Sequence, residues 1–354
     1  MTKREQVLAV LAGGIPDVIP TIGEAFMDRT VQRALGVAHR GEWLADAVAD
    51  AELLKKNDLD VGAGINSRTL EEDADHRLYE YETGARWVEK YTPTFNREAV
   101  KYPVNAPEDV ASLSLPDMHD PARYEGMAER VEAFHRAGYF VQAGTGGIWS
   151  GSYYFVTAFE NILTWMAAEP QVAHEIFAKI AAYVLAAAEE MLTRGVDAVN
   201  FYDDLGSGQS LLFSRQMYRT FIKPWHRKAA DLCHTYGKVL HVHSHGHIQD
   251  VMDDIVDTGV DILNPVGPSD HNDLAYFKKR WGGRITFLGG ISTTIARMTE
   301  DEIERHVAEV MAAGCPGGRF MPRTESGIPM MPAEKARFFI DTLYKYRVRY
   351  GRGQ

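Results

Sequence analysis

The sequence predicts an α/β protein built as a (β/α)8 barrel with an inserted β-hairpin after the second strand. Apolar runs of strand length, bounded by Gly, Pro or Asp, occur eight times, at 18–23, 59–63, 139–144, 197–203, 238–244, 260–266, 284–289 and 318–323. Helical patterns at 42–56, 170–194, 214–236, 248–258 and 300–313 separate most of them, so strand and helix alternate as a closed parallel sheet requires. No G-x-G-x-x-G opens a helix after any run, which counts against the other architecture of this pattern, an open doubly wound sheet.

The rhythm breaks once. After the second run, residues 66–103 contain the alternation Leu78-Tyr79-Glu80-Tyr81-Glu82, then Thr83-Gly84, then Arg86-Trp87-Val88-Glu89-Lys90-Tyr91. This reads as an antiparallel hairpin whose turn uses Gly84, free to take positive φ. From the third run onward the order is regular, each strand closing on a polar or glycine-rich turn before the next helix. No repeat, low-complexity tract or long linker divides the chain, so residues 1–354 read as one domain.

Composition narrows the function. The chain has 354 residues, 45% apolar and 25% charged, which excludes disorder, collagen and coiled coil. Its net charge of −11, with no concentrated basic face, disfavours nucleic acid and anionic membranes as partners. The longest apolar stretch, about 180–188, is too short to span a bilayer, and no apolar segment follows the first residues as in a secretory signal, so a cytoplasmic location is expected. Cys233 and Cys315 make no disulfide framework and no C-x-x-C clip, whereas the 13 histidines include a clustered set.

Catalytic groups of such barrels lie where the strands run out. That rule collects Glu24, Asn66, the Gly144–Gly147 turn, Asp203 and Asp204, His243 and His245, Asn264, the Gly289-Gly290 turn, and Arg323 with Glu325. Each has a plainer reading, an Asp as helix cap or a Gly as ordinary turn. The segment Leu240-His241-Val242-His243-Ser244-His245-Gly246-His247 stands out. On a strand, His241, His243 and His245 share one face, and imidazoles two positions apart, about 6–7 Å at Cα, can converge on one metal ion such as Zn, Fe, Ni or Cu. Carboxylates at neighbouring strand ends complete the shell. Alternatively the histidines bind anionic substrate groups and Arg323 belongs to the same anion site, unless it is the structural partner of the Asp203-Asp204 pair. Trp149, Tyr153, Tyr154 and Phe155 read equally as a substrate wall or a packed loop.

The chain resembles the uroporphyrinogen decarboxylase superfamily, which includes the decarboxylase and the zinc-dependent corrinoid methyltransferases. The resemblance runs from Arg4-Glu5-Gln6-Val7-Leu8-Ala9 and Gly14-Ile15-Pro16-Asp17 through Ala158-Phe159-Glu160-Asn161, Gly195-Val196-Asp197-Ala198 and Asp203-Asp204-Leu205-Gly206. It continues in Lys223-Pro224, His243-Ser244-His245-Gly246, Asn264-Pro265, Leu288-Gly289-Gly290-Ile291 and Gly327-Ile328-Pro329. It implies a TIM barrel.

Two departures bear on chemistry. Where the decarboxylase has an arginine-rich segment for substrate carboxylates, this chain has Ile22-Gly23-Glu24-Ala25-Phe26-Met27, and its late histidine position is Ser326 or its neighbours. Where the methyltransferases have His-x-Cys-Gly and a later cysteine, this chain has His243-Ser244-His245-Gly246 and again Ser326. Imidazoles in place of thiolates leave a metal more Lewis acidic and favour oxygen substrates over thiols.

The expectation is a metal-dependent, zinc-using enzyme that transfers a methyl or other one-carbon group on a small molecule, with a corrinoid on a separate protein as methyl donor. His243 and His245 would hold the metal, with Glu325 as third ligand or acid/base. Asp203 or Asp204 would act as base or anchor, and Glu24, His241, Asn264 and Arg323 would bind substrate. Decarboxylation of a tetrapyrrole or small carboxylic acid, or ligand binding without catalysis, are the alternatives. The resemblance also allows a homodimer.

Overall fold

A computed structural model describes residues 1–21, 48–50, 66–91, 96–328 and 331–352. The expected strand at 59–63, Glu24, and the end of the expected strand at 18–23 lie outside these residues. Strand β1 is Val48–Asp50. Strands β2 to β5 are Ser67–Glu72, His76–Tyr81, Arg86–Lys90 and Asn96–Lys101. Strands β6 to β11 are Phe140–Gly144, Ala198–Tyr202, Val239–His243, Ile262–Val266, Thr286–Ile291 and Phe320–Thr324.

Strands β1 and β6 to β11 form one parallel sheet in the order β1-β6-β7-β8-β9-β10-β11. Neighbours in space are neighbours in sequence from β6 onward, because a helix after each strand returns the chain to the same edge. These are Pro170–Thr193, Lys223–Thr235, Met252–Asp257, Leu274–Trp281, Glu300–Gly314 and Ala333–Arg349. Strands β6 to β11 are buried almost throughout, as in a parallel sheet covered on both faces. Pro170–Thr193 begins with Pro at its first position, and it buries Ala173, Ile176, Phe177, Ile180, Ala181, Val184, Ala187 and Met191, the stripe expected of an amphipathic helix. No helix of the described residues is long and apolar enough to cross a membrane.

Three sequence expectations change. Strand β1 occupies the middle of the helix expected at 42–56, pairing with Phe140, Val141 and Gln142. A nonlocal ladder there overrides local periodicity. The helix expected at 214–236 is divided into Arg215–Met217, a π-helical turn Tyr218–Ile222 and Lys223–Thr235. Pro224 has no N–H to bond Thr220, and the wider turn absorbs the missing rung.

The expected two-stranded hairpin is the centre of a four-stranded antiparallel sheet, β2-β3-β4-β5. Gly84 takes φ 86° at the β3–β4 turn. Outer strands β2 and β5 are exposed along their length, so their Arg and Glu residues carry no burial signal. Trp87 anchors the sheet, donating from Nε1 to the Tyr154 carbonyl at 2.9 Å and packing on its ring at 5.5 Å.

Below the strands, Asp197 ties four segments to the start of β7. Its carboxylate accepts from Arg4 Nη2 at 2.7 Å and Nε at 3.1 Å, from His135 Nε2 at 2.8 Å, from Lys238 Nζ at 3.3 Å and from the Val141 amide at 3.1 Å. Burial works to raise its pKa, but these donors outweigh it and hold the carboxyl below its ordinary value. Asp197→Ala leaves these donors facing a buried void. It should cost about 3–5 kcal/mol in urea unfolding at neutral pH, the cost of breaking a buried pair from one side. Because its pKa is lowered in the folded state, the Asp197 contribution is complete above the unfolded carboxyl pKa. It fades as pH falls through the folded value, so the difference between wild type and variant should shrink toward acid.

Candidate active site

The C-terminal edge of the parallel sheet is organised around a fork at the end of β7. Asp203 is fully buried. Its Oδ1 accepts from the Ser150 amide at 2.9 Å, and its Oδ2 from the Ile148 amide at 3.2 Å and from His226 Nε2 at 2.8 Å. It therefore clamps the loop after β6 to helix Lys223–Thr235, a place different from the base or substrate anchor expected of it. Gly147 belongs to this clamp: a Cβ there would lie 2.1 Å from Asp203 Oδ1 and 2.0 Å from the Tyr202 carbonyl. Its missing side chain serves packing within the protein.

Asp204 points the other way. Its side chain is 39% exposed, its Oδ1 accepts from the His245 amide at 2.8 Å, and the same oxygen lies 3.7 Å from His243 Nε2. Trp149 Nε1 donates to the Asp204 carbonyl and fixes the backbone that carries it.

Strand β8 ends at His243, so His241 and His243 share the strand face while His245 lies past its end. The rings of His243 and His245 still meet, with centroids 4.8 Å apart. Each turns Nδ1 to an oxygen: His243 to Asn264 Oδ1 at 2.6 Å, and His245 to Asp270 Oδ2 at 3.2 Å. The environments push the two imidazoles apart. Burial is the main cause that lowers His243 to about 4, with Asp204 pulling upward against the charges of His245 and Arg323. The Asp270 hydrogen bond is the main cause that raises His245 above its ordinary value. The result is a neutral ring beside one that keeps its proton to higher pH.

Deeper along β8, His241 is fully buried and donates from Nδ1 to Gln142 Oε1 of β6 at 3.1 Å. Burial, with smaller help from His243 and Arg323, lowers it to about 3. Arg323, on β11, makes no ion pair with a carboxylate among the described residues, the Asp203-Asp204 pair included, and its charge acts on His241 and His243.

Glu325 does not face open space. It is 4% exposed and accepts from the Ser269 hydroxyl at 2.6 Å, the Ser269 amide at 3.0 Å, the Thr293 amide at 2.9 Å and the Thr293 hydroxyl at 3.4 Å. Gly267 makes room for it, since a Cβ there would lie 2.2 Å from Glu325 Oε2. Both oxygens expected to ligate metal or move a proton are thus used to join the loops after β9, β10 and β11.

Asn66 begins the antiparallel sheet, where it donates to Glu82, and stands apart from this edge. Trp149 is buried among Tyr153, Phe159, Phe177 and Phe213, so it packs the loop after β6, while Tyr154 holds the antiparallel sheet. Cys233 and Cys315 are buried, and burial pushes both thiols up to about 12, far from thiolate.

Sequence reasoning passed over Asp270, Ser269, Gln142 and His226. β9 ends at Val266, so its following loop, Gly267-Pro268-Ser269-Asp270, lies within reach of the strand-end rule. Gln142 and His226 carry no sequence signal for contacts made across the sheet.

The donor chemistry of His243 and His245 suits a metal ion: both rings hold Nδ1 against an oxygen acceptor, which directs Nε2 toward a ligand. Among the described residues, three donors do not close on one point at these histidines. Among the described residues, the three-donor group that does so is Glu71, Asp73 and His76, on the antiparallel sheet.

The parallel sheet, its returning helices and a polar edge built from the strand ends define an α/β enzyme scaffold. A family model described as uroporphyrinogen decarboxylase (URO-D) matches residues 88–346. The uroporphyrinogen decarboxylase of Psychromonas ingrahamii is 25% identical over 264 residues, covering 71% of this chain and 72% of that protein. That of Mannheimia succiniciproducens is 25% identical over 274 residues, covering 73% and 72%. A solved structure described as a methyltransferase from Methanosarcina mazei superposes with a TM-score of 0.66 at 16% identity, covering 98% of this chain and 99% of that one, and so shares its fold. The chain belongs to the uroporphyrinogen decarboxylase family.

Two measurements test this geometry. Glu325→Gln turns an amide NH2 toward donors and should lower stability by about 2 kcal/mol in thermal unfolding, as expected for hydrogen bonds to a charged group. In 15N-resolved NMR, His243 should remain neutral with Nδ1 protonated from pH 8 down to about 5, while His245 gains its proton at higher pH than an unperturbed imidazole.

Proposed function

We propose that the protein is an enzyme transferring a methyl or other one-carbon group on a small oxygen-bearing molecule, with a divalent metal, zinc, held by His243 and His245. The observation that carries this reading is the histidine pair itself: two neighbouring imidazoles with their Nδ1 atoms held by Asn264 and Asp270, beside the exposed Asp204. A bound metal would supply Lewis acidity toward a substrate oxygen.

The chain's own groups do the rest. Asp204 takes the proton from the substrate hydroxyl as that oxygen accepts the one-carbon group, and the electron pair of the broken bond stays with the departing donor. Asp203 keeps the loop after β6 and the end of β7 in register, and Glu325 keeps Asp270 in place behind His245. A corrinoid carried by a separate protein is the proposed methyl donor. The sheet is read as one closed (β/α)8 barrel domain, with Thr21 beside β11, where it donates to the Pro322 carbonyl. Arg323, a cation with no carboxylate partner among the described residues, supports a second reading, decarboxylation of a small acid.

Elemental analysis of purified protein should find stoichiometric zinc in wild type and in Asp204→Asn, with loss in His243→Ala. Metal-free wild type, or zinc retained by His243→Ala, rejects the assignment. Because metal uptake displaces the proton of His245, whose pKa is raised, metal affinity should fall as pH drops through that pKa. Methyl transfer from methylcobalamin to small hydroxylated acceptors, assayed anaerobically, should depend on Asp204. Release of carbon dioxide from uroporphyrinogen III would overturn the reading, and ligand binding without turnover would mark a binding protein.

A further inference from the structure

The turn after β10 is held by a histidine that lies outside the candidate site. His306, on helix Glu300–Gly314, is half-buried, and its Nε2 accepts the Ser292 amide N–H at 3.0 Å. A backbone amide can only donate, so the ring nitrogen facing it carries no proton, and the imidazole is neutral with its hydrogen on Nδ1. Ser292 in turn caps the 3-10 turn Thr293–Arg297, its hydroxyl accepting the Thr294 amide at 3.1 Å. The next residue, Thr293, delivers its amide and its hydroxyl to Glu325. Ser269 supplies two further donors to Glu325, and its neighbour Asp270 holds His245.

The first link of this chain is the one that a proton can break. Protonating His306 turns its acceptor into a second donor facing the Ser292 amide, and the bond is lost. Burial is the main cause that lowers the pKa of His306, against the upward pull of Glu309, one turn on along the same helix, and of Glu325, from the loop after β11. Of the other charged groups nearby, Glu302 on the same helix is spent on Thr299, and Lys335 of helix Ala333–Arg349 reaches the Ala296 carbonyl at 3.5 Å. Burial therefore keeps the acceptor in place at neutral pH.

From this chain of contacts, we infer that His306 is a positioning residue of the histidine edge. As a neutral acceptor it sets the turn after β10, and through Thr293, Glu325 and Ser269 it keeps Asp270 against His245. Its protonation frees Ser292 and loosens the loops after β9 and β10 together. The coupling stands on hydrogen bonds, and its bearing on chemistry rests on the reading of His243 and His245 as the metal site.

Amide hydrogen exchange of the full chain, resolved by NMR and expressed as protection relative to an unfolded amide at the same pH, tests the coupling. The amides to follow are those of Ser292, Thr293 and Ser269, in wild type, His306→Gln and His306→Leu. In wild type, protection at all three should be complete above about pH 6.5, the ordinary imidazole value, and fall by up to about tenfold per pH unit below it. The sign follows because the lowered pKa belongs to the closed loop, so protons favour the open one. His306→Gln presents an amide oxygen that accepts without titrating, so its protection should hold through the same range. His306→Leu should lose about tenfold at the three amides already at neutral pH, while the amides of β6 to β8 stay protected. His306→Gln carries the test if His306→Leu fails to fold. A wild-type profile that matches His306→Gln at every pH, or a loss that stops at Ser292 without reaching Ser269, overturns the inference. Zinc affinity on the same preparations should fall in His306→Leu and be retained in His306→Gln. Loosened loops with unchanged zinc affinity reject the positioning role, whereas zinc bound by none of the three proteins rejects the metal reading alone.

Discussion

The functional edge of this molecule depends on one buried carboxylate. Asp203 satisfies the amides of Ile148 and Ser150 and holds His226, whose Nδ1 in turn meets the Tyr218 hydroxyl at 3.1 Å. A carboxylate without exposure is tolerable only when donors fill its lone pairs, and here they come from two separate elements. By fixing the end of β7, Asp203 frees its neighbour Asp204 to stand beside His243. Adjacent identical residues thus divide into a structural and a chemical member because successive side chains leave an extended strand end in opposite directions.

A second carboxylate does comparable work across the sheet. Glu325 binds Ser269 and Thr293. The same loop presents Asp270 to His245. The histidine pair is consequently supported from both sides, His243 through an amide carbonyl and His245 through a carboxylate. The difference between those two partners accounts for the opposite displacement of the two rings' protonation. His243 has a neutral acceptor and heavy burial, and His245 has an anion at hydrogen-bond distance.

Much of the parallel sheet was legible in the sequence because strands buried on both faces write apolar runs without alternation, and six of the eight expected runs overlap β6 to β11 within about two residues at each end. The local signal failed where the partner decides. The segment of β1 is short and helix-compatible until β6 pairs with it, and β2 and β5 are charged strands whose regularity comes from β3 and β4. The candidate site was legible as a neighbourhood, since the strand-end rule found Asp204, His243, His245, Asn264 and Arg323. It was not legible as a division of labour. Whether a carboxylate meets open space or backbone amides depends on the path of other loops, so Asp203 and Glu325 looked like Asp204 until their donors were placed. His241 lies deeper than His243 on the same face of the strand, as the alternation predicts.

The junction at Glu325 has an evolutionary consequence. A residue inserted or deleted between Gly267 and Asp270 changes two contacts together, Ser269 with Glu325 and Asp270 with His245. The loops after β9, β10 and β11 must therefore diverge as a block. Changes of loop length that leave the histidine pair undisturbed are confined to other turns of this edge. New substrates would be acquired from that opposite flank, against a histidine side held constant.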